Sequence, residues 1–171
     1  MSLLHAPDPT WPERCAQETE ALLASIDGLV TVYHVGSTSV PGLPAKPIID
    51  LLPVFEEASI QTYAQNAFEA LRTEYLGEFG LQGRSYARKT DPETGACRVH
   101  PDGYVDGHKD FTCHLAFRDT PRENTSVLAA YTSIKAACSQ PEGGAAYSDC
   151  KSDWINKAEA HPLIRVTESP T

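Results

Sequence analysis

The stretch His34-Val35-Gly36-Ser37-Thr38-Ser39-Val40-Pro41-Gly42-Leu43-Pro44-Ala45-Lys46-Pro47-Ile48-Ile49-Asp50 decides how this chain is read. Residues 30–35 are β-branched and aromatic, and they predict a strand that delivers Gly36 and Ser37 at its end. Glycine lets a backbone come close to a ligand. Ser37, Thr38 and Ser39 add hydroxyl donors, and successive backbone N–H groups in such a loop can form an anion-binding nest. Lys46 adds a positive charge ahead of a second strand, residues 48–54, apolar enough to be central. Asp50 falls inside that strand, where an unpaired carboxylate is costly, so it calls for a cation, a metal or hydrogen-bond donors. Phosphate donors beside a carboxylate for a divalent metal are the minimum equipment of a nucleotide-phosphate site. The same run with its three prolines also suits an ordinary turn, and the residues alone leave both readings open.

Working outward, Thr10 can cap a helix with Pro12 in its first turn and Glu13 facing its dipole. Trp11, Cys15, Leu22 and Ile26 then recur at helical spacing, and Gly28 is placed to stop the helix. Residues 57–71 predict a second helix with Ile60, Ala64, Ala67, Phe68 and Leu71 along one side. Residues 85–89 and 97–100 predict two short strands joined by a turn at 90–95, and residues 101–109 a loop. Residues 111–117 alternate and predict another strand. The chain turns helical after Pro121, with Val127, Tyr131, Ile134 and Cys138 on one face. After a break at 141–144, Tyr147, Cys150, Trp154 and Ala158 predict a last helix. This order implies an α+β fold, a mixed or mainly antiparallel sheet flanked by helices. A length of 171 residues suits a single domain spanning 1–171.

Composition excludes several classes. The apolar fraction of 41% and charged fraction of 22% are those of a globular protein. A net charge of −9 disfavours nucleic acid as a partner, which needs clustered cations. No apolar run is long enough to span a membrane, and the opening residues lack the basic and apolar regions of a signal peptide, so a cytoplasmic protein is expected. The five cysteines are odd in number and form no CxxC pair, which predicts reduced core thiols. The oligomeric state is not legible.

The segment from His34 to Asp50 resembles the signature HxGSTxVPGLxxKPxID of the GrpB-like family. Asp8-Pro9-Thr10-Trp11-Pro12 resembles that family's opening, residues 114–119 its HLxFRD segment, residues 130–135 its YxxLK helix and residues 146–155 its YxxxKxxFI close. The resemblance implies the nucleotidyltransferase fold, and family members also occur fused to a dephospho-coenzyme A kinase. Together with Gly36, Ser37, Lys46 and Asp50, that fold leads us to expect a small-molecule nucleotide or related phosphate compound as partner, with a divalent cation, magnesium or manganese.

Members of the wider superfamily carry two carboxylates two residues apart on a strand, where they share a face and can hold metal ions. Here the second position is Leu52. Asp50 is then the candidate catalytic residue and metal ligand, with His100 and His114 as candidate further ligands, because histidine suits transition metals. A hydrogen-bonded structural histidine is the rival reading of each, and of His34 beside the loop. Gly36, Ser37, Thr38, Ser39, Lys46, Arg88 and Lys151 are the candidate phosphate ligands. Arg84, Lys89 and Arg98 join Arg88 on the middle strands, where acids nearby could neutralise them instead. Lys151 shares a helix face with Tyr147, and Arg118 with Asp119 predicts an internal ion pair at a helix start. Three functions stay open: a nucleotidyltransferase-like enzyme, an inactive nucleotide- or coenzyme-A-type binding module, and a protein-interaction domain.

Overall fold

The computed structural model describes residues 4–139 together with Tyr147 and Cys150. Helix α1, Trp11–Ser25, begins at Thr10 with Pro12 in its first turn. The Thr10 hydroxyl makes no bond to the helix. Its amide and hydroxyl both donate to Asp8 Oδ1 at 2.8 Å, so an aspartate turn fixes the entry. Trp11, Cys15 and Leu22 are buried, as their spacing predicts.

Strands β1, Leu29–Val35, and β2, Ile49–Phe55, pair antiparallel with Val35 opposite Asp50. Between them Ser37–Ser39 make a single 3-10 turn. Helix α2, Ala58–Ala70, follows, then the short edge strand β3, Glu74–Gly77, which the sequence reading lacks. Strands β4, Ser85–Thr90, and β5, Cys97–Val105, complete a sheet of order β1-β2-β5-β4-β3. β5 runs parallel to β2 and antiparallel to β4, so the sheet is mixed. Helices α3, Lys109–Glu123, and α4, Thr125–Cys138, follow.

Strand alternation divides the sheet. One face carries Val32, Ile49, Leu51, Ala87 and Val99, buried with Trp11, Leu22, Ala64 and Phe68 of α1 and α2. The other carries Val35, Leu52 and Tyr104, with Phe111 and Leu115 of α3 packed on them. A third cluster joins Val40 and Leu43 of the long loop to Tyr131 of α4 and Phe117 of α3.

Three expectations are corrected. Residues 101–105, expected as loop, are strand: β5 lies between β2 and β4, and partners on both sides hold Pro-Asp-Gly extended. Gly103 belongs there because a Cβ at that position would meet the Phe55 ring and the Pro53 carbonyl. Residues 111–117, expected as strand, lie within α3. His108 starts that helix by accepting the Asp110 amide, and the i, i+4 pair Phe111 and Leu115 faces the sheet. Cys138 and Cys150, expected as thiols, form a disulfide with Cα atoms 5.9 Å apart, while Cys15, Cys97 and Cys113 are free. No helix among the described residues is long and apolar enough to cross a membrane.

Candidate functional site

The end of β1 and the start of β2 bring the Gly-Ser loop and Asp50 together. Gly36 has φ +67 and ψ −168, a backbone region open essentially to glycine alone. A Cβ built there would collide with the Asp50 carboxylate. The missing side chain therefore lets the loop fold directly over Asp50. That carboxylate is not sealed in the core, since its side chain keeps 37% of its surface open to solvent. His100, its partner across β2 and β5, places Nδ1 3.4 Å from Asp50 Oδ1.

The loop is held from within. Ser39 donates its hydroxyl to the Gly36 carbonyl at 2.6 Å, and Thr38 donates its own to the Ile48 carbonyl at 3.1 Å. Both residues are buried and their hydroxyls are spent on backbone carbonyls, so they shape the loop, and of the three expected hydroxyl donors Ser37 is the part-exposed one. The Thr38 oxygen also lies 3.0 Å from His34 Nε2. Its single proton goes to Ile48, so the imidazole is the donor and Nε2 carries the hydrogen. Burial holds His34 at a pKa of about 4, with Asp50 pulling upward and Arg122 and Arg118 pushing down. His34 is thus neutral near pH 7 and orients the loop. The Ser37 hydroxyl lies 3.4 Å from Oη of the buried Tyr131.

Two arginines of α3 anchor the same loop. Arg122 donates through Nε and Nη2 to the Ser39 carbonyl. Arg118 reaches the His34 carbonyl at 3.4 Å and makes a two-point bond to Asp119 at 2.6 and 3.0 Å. The expected Arg118–Asp119 pair exists, but in the body of α3 rather than at a helix start. The Lys46 ammonium lies 4.5 Å from the Tyr147 ring centroid. Lys151 lies outside the described residues.

The remaining candidates spread across the sheet. In register, Asp50 faces His100 and Glu74 faces Arg88, and β4 joins the two pairs. Arg88 is therefore on the Asp50 face, two strands away, paired with Glu74 at 2.7 Å. Arg84 pairs with Asp102 at 3.7 Å, Lys89 with Glu18 at 2.8 Å and Arg98 with Asp91 at 3.0 Å, so each basic residue of the middle strands has an acid beside it. A cavity of about 480 Å³ lies on the α1 side between the latter two pairs, lined also by Arg14, Ile49 and Val99.

His114 sits on α3 with Nε2 3.9 Å from Asp102 Oδ2. Asp102 lies two residues beyond His100 on β5, hence on the same face, beside the place Leu52 occupies on β2. Burial raises its pKa, while His114 and Arg84 draw it back down. The sequence reading missed Asp102 because residues 101–105 resemble a turn; its spacing from His100 was the available signal. It also missed Arg122 and Tyr131 as loop contacts, since neither lies near the motif in sequence.

The expected metal set of Asp50, His100 and His114 does not assemble. Asp50 and His100 form one pair, Asp102 and His114 another, and among the described residues no three His, Cys, Asp or Glu side chains gather closely enough to hold a metal ion. Leu52 is fully buried against Val35 and Tyr104. The described residues thus supply too few donors at this site for a cation cage. The Asp50 carboxylate itself is part-exposed.

A mixed sheet of this order, with a Gly-Ser loop closing over a carboxylate at the head of the second strand, defines a domain of the nucleotidyltransferase fold. A structure of Cid1 in complex with its short product ApU superposes with a TM-score of 0.54 over 79% of this chain and 42% of that one, at 12% identity. That likeness concerns the fold alone. The chain belongs to the GrpB family, whose model, GrpB protein, matches residues 3–161. The crystal structure of the conserved protein GrpB from Enterococcus faecalis matches with a TM-score of 0.75 and 34% identity, covering 91% of this chain and 98% of that one. UPF0157 protein YqkA of Bacillus subtilis is 33% identical over 156 residues, 87% of this chain. UPF0157 protein PA4798 of Pseudomonas aeruginosa is 31% identical over 169 residues, 92% of this chain. The chain spans 43% of the Bacillus relative's length and 69% of the Pseudomonas relative's.

Proposed function

We propose that this domain binds the phosphate groups of a nucleotide at the Gly36–Ser37 loop. The observation that carries this reading is the contact between Gly36 and Asp50, which leaves no room for any side chain at position 36. A loop built only to turn the chain has no need to lie on a carboxylate. Ser37 is the hydroxyl donor to phosphate, with Tyr131 orienting it. Lys46 is the loop's cation toward the phosphates, and Arg122 with the Thr38 and Ser39 hydroxyls keeps the loop in shape. Asp50 is the single protein carboxylate toward a magnesium or manganese ion that arrives with the phosphates, and such an ion would neutralise phosphate charge there.

The single carboxylate favours binding over transfer, because a two-metal clamp needs more protein ligands than Asp50 supplies. Isothermal titration with ATP, UTP and coenzyme A, with and without magnesium, tests the reading. Binding that weakens at least tenfold in Ser37→Ala, and whose magnesium enhancement vanishes in Asp50→Asn, is the expected result. Turnover of the bound nucleotide would move the assignment to an enzyme. No heat of binding at millimolar ligand would move it to a protein-interaction domain.

A further inference from the structure

The cavity of about 480 Å³ under α1 lies at the same end of the sheet as Asp50 but on the opposite side. Its base is Ile49, the residue before Asp50, with its β5 partner Val99. Strand alternation turns Ile49 away from the face that carries Asp50. Arg14, Gln17 and Glu18 form one wall, at spacings of three and four residues that share a face of α1. Lys89, Asp91 and Arg98, at the joined ends of β4 and β5, form the other.

These walls hold three cations and two acids, and the bonds decide which charge is left over. Lys89 donates to both oxygens of Glu18 at 2.8 Å. Arg98 donates to Asp91 Oδ2 at 3.0 Å, while Asp91 Oδ1 accepts the Glu93 and Thr94 amides at 3.0 Å each. Every carboxylate oxygen of the walls is therefore committed. Arg14 stands one helical turn before Glu18, yet among the described residues no acid lies within ion-pairing distance of it. Its guanidinium donates to the Pro47 carbonyl at 3.5 Å, the long limit of a hydrogen bond. Asp8 feels its charge at longer range, and Asp8 Oδ1 already accepts the Thr10 amide and hydroxyl. Most of the five N–H donors of Arg14 are thus unspent beside a cavity, in a chain whose net charge is −9.

We propose that this cavity is a second ligand site, for a small organic monocarboxylate whose carboxylate takes a two-point bond from Arg14 and whose apolar body packs toward Ile49, Val99 and Pro92. Charge sets the class. Three cations against two acids leave one positive charge, which one carboxylate neutralises and an amine would oppose. A polyphosphate would need cations that Glu18 and Asp91 already occupy. The guanidinium fork matches the two oxygens of a carboxylate, and the apolar base rewards a ligand with a body over a bare ion. A volume of this size falls among pockets that hold small molecules. The site stands apart from the phosphate reading, since Ser37 and Asp50 lie outside its lining.

The experiment titrates the full chain, labelled with nitrogen-15, with benzoate, benzylamine and inorganic phosphate, following amide shifts by NMR. Benzoate is expected to give saturable shifts in residues 14–18 and 89–99, where benzylamine and phosphate give none. Arg14→Gln should weaken benzoate by about tenfold or more, with amides outside the cavity unmoved as the check on folding. Glu18→Gln, which removes an acid from the wall, should tighten it. Ser37→Ala should leave benzoate binding unchanged, which separates this site from the phosphate loop. The proposal is overturned if benzylamine binds there as well as benzoate does, or if phosphate saturates the same amides equally. It is overturned too if Arg14→Gln binds benzoate like the wild type, if Glu18→Gln weakens it, or if millimolar benzoate shifts nothing.

Discussion

The two faces of the five-stranded sheet are made from the same strands yet differ in kind. Toward α1 and α2, β2 and β5 present Ile49, Leu51 and Val99, and the neighbouring helices bury them with Phe68 and Trp11. Toward α3 and the open edge, alternate residues of the same strands are Asp50, His100 and Asp102, followed on β4 by Tyr86 and Arg88. The first face holds the fold together through apolar area removed from water. The second sets charges and rings beside one another, where pairing must offset desolvation. Strand alternation lets one chain segment do both, so a substitution's effect depends on the parity of its position more than on its distance from the loop.

The largest break in this comparison comes from Leu51→Asp, which places a charge in the sealed face one residue from Asp50. Leu51 is fully buried, and urea denaturation should show the domain losing most or all of its stability, on the order of 5 kcal/mol or more. Phe68→Ala on the same side should cost about 3–5 kcal/mol through the cavity it leaves. By contrast Asp50→Asn should change stability by less than about 1 kcal/mol, because its side chain is part-exposed.

Gly36→Ala tests the junction between the two faces. Left-handed backbone at a non-glycine residue costs about 1–3 kcal/mol, and the new methyl must also displace Asp50. Thermal denaturation should show that loss, and the double variant Gly36→Ala with Asp50→Gly should recover part of it, because the collision is removed while the backbone strain stays.

His34 gives a smaller, pH-dependent effect. Its pKa of about 4 in the fold lies below the ordinary value near 6.5, so below 6.5 the unfolded chain takes up a proton that the folded chain does not. His34 therefore lets stability stay full above about pH 6.5 and drains it as pH falls toward 4, below which the loss levels off. Allowing for partial solvent access, the loss is about 1–2 kcal/mol. Denaturant titrations at pH 7 and pH 4.5 should show a smaller drop in His34→Gln than in the wild type. Smallest of all, Ser37→Ala should alter stability by less than about 1 kcal/mol, since it removes one long hydrogen bond to Tyr131.

Much of the core was legible because its signals are local. Trp11, Cys15 and Leu22 repeat at helical spacing, β1 and β2 are rich in β-branched residues, and Gly36 marks a conformation only glycine tolerates. The stretch from 101 to 117 was misread because its local signals point the wrong way. Pro101, Asp102 and Gly103 favour a turn, and Phe111, Cys113, Leu115 and Phe117 alternate like a strand. Flanking strands keep the first extended, and the His108 cap with the apolar sheet face winds the second into α3. The candidate site split in the same way. Gly36, Ser37 and Asp50 were named from one contiguous motif and meet in space. His100 and His114 were offered as partners of a single ion, and the fold assigns them to different carboxylates.

By itself the sequence determined the family, the Gly-Ser loop and the strand carrying Asp50, because each is written in consecutive residues whose backbone preferences act over a few positions. Only the tertiary structure decided that Thr38 and Ser39 turn inward, that Asp102 joins the Asp50 face, that Arg122 and Tyr131 hold the loop, and that Arg14 lines a cavity whose two acids are already paired. Those facts depend on pairings between residues tens of positions apart, where register and burial, not propensity, choose the neighbours.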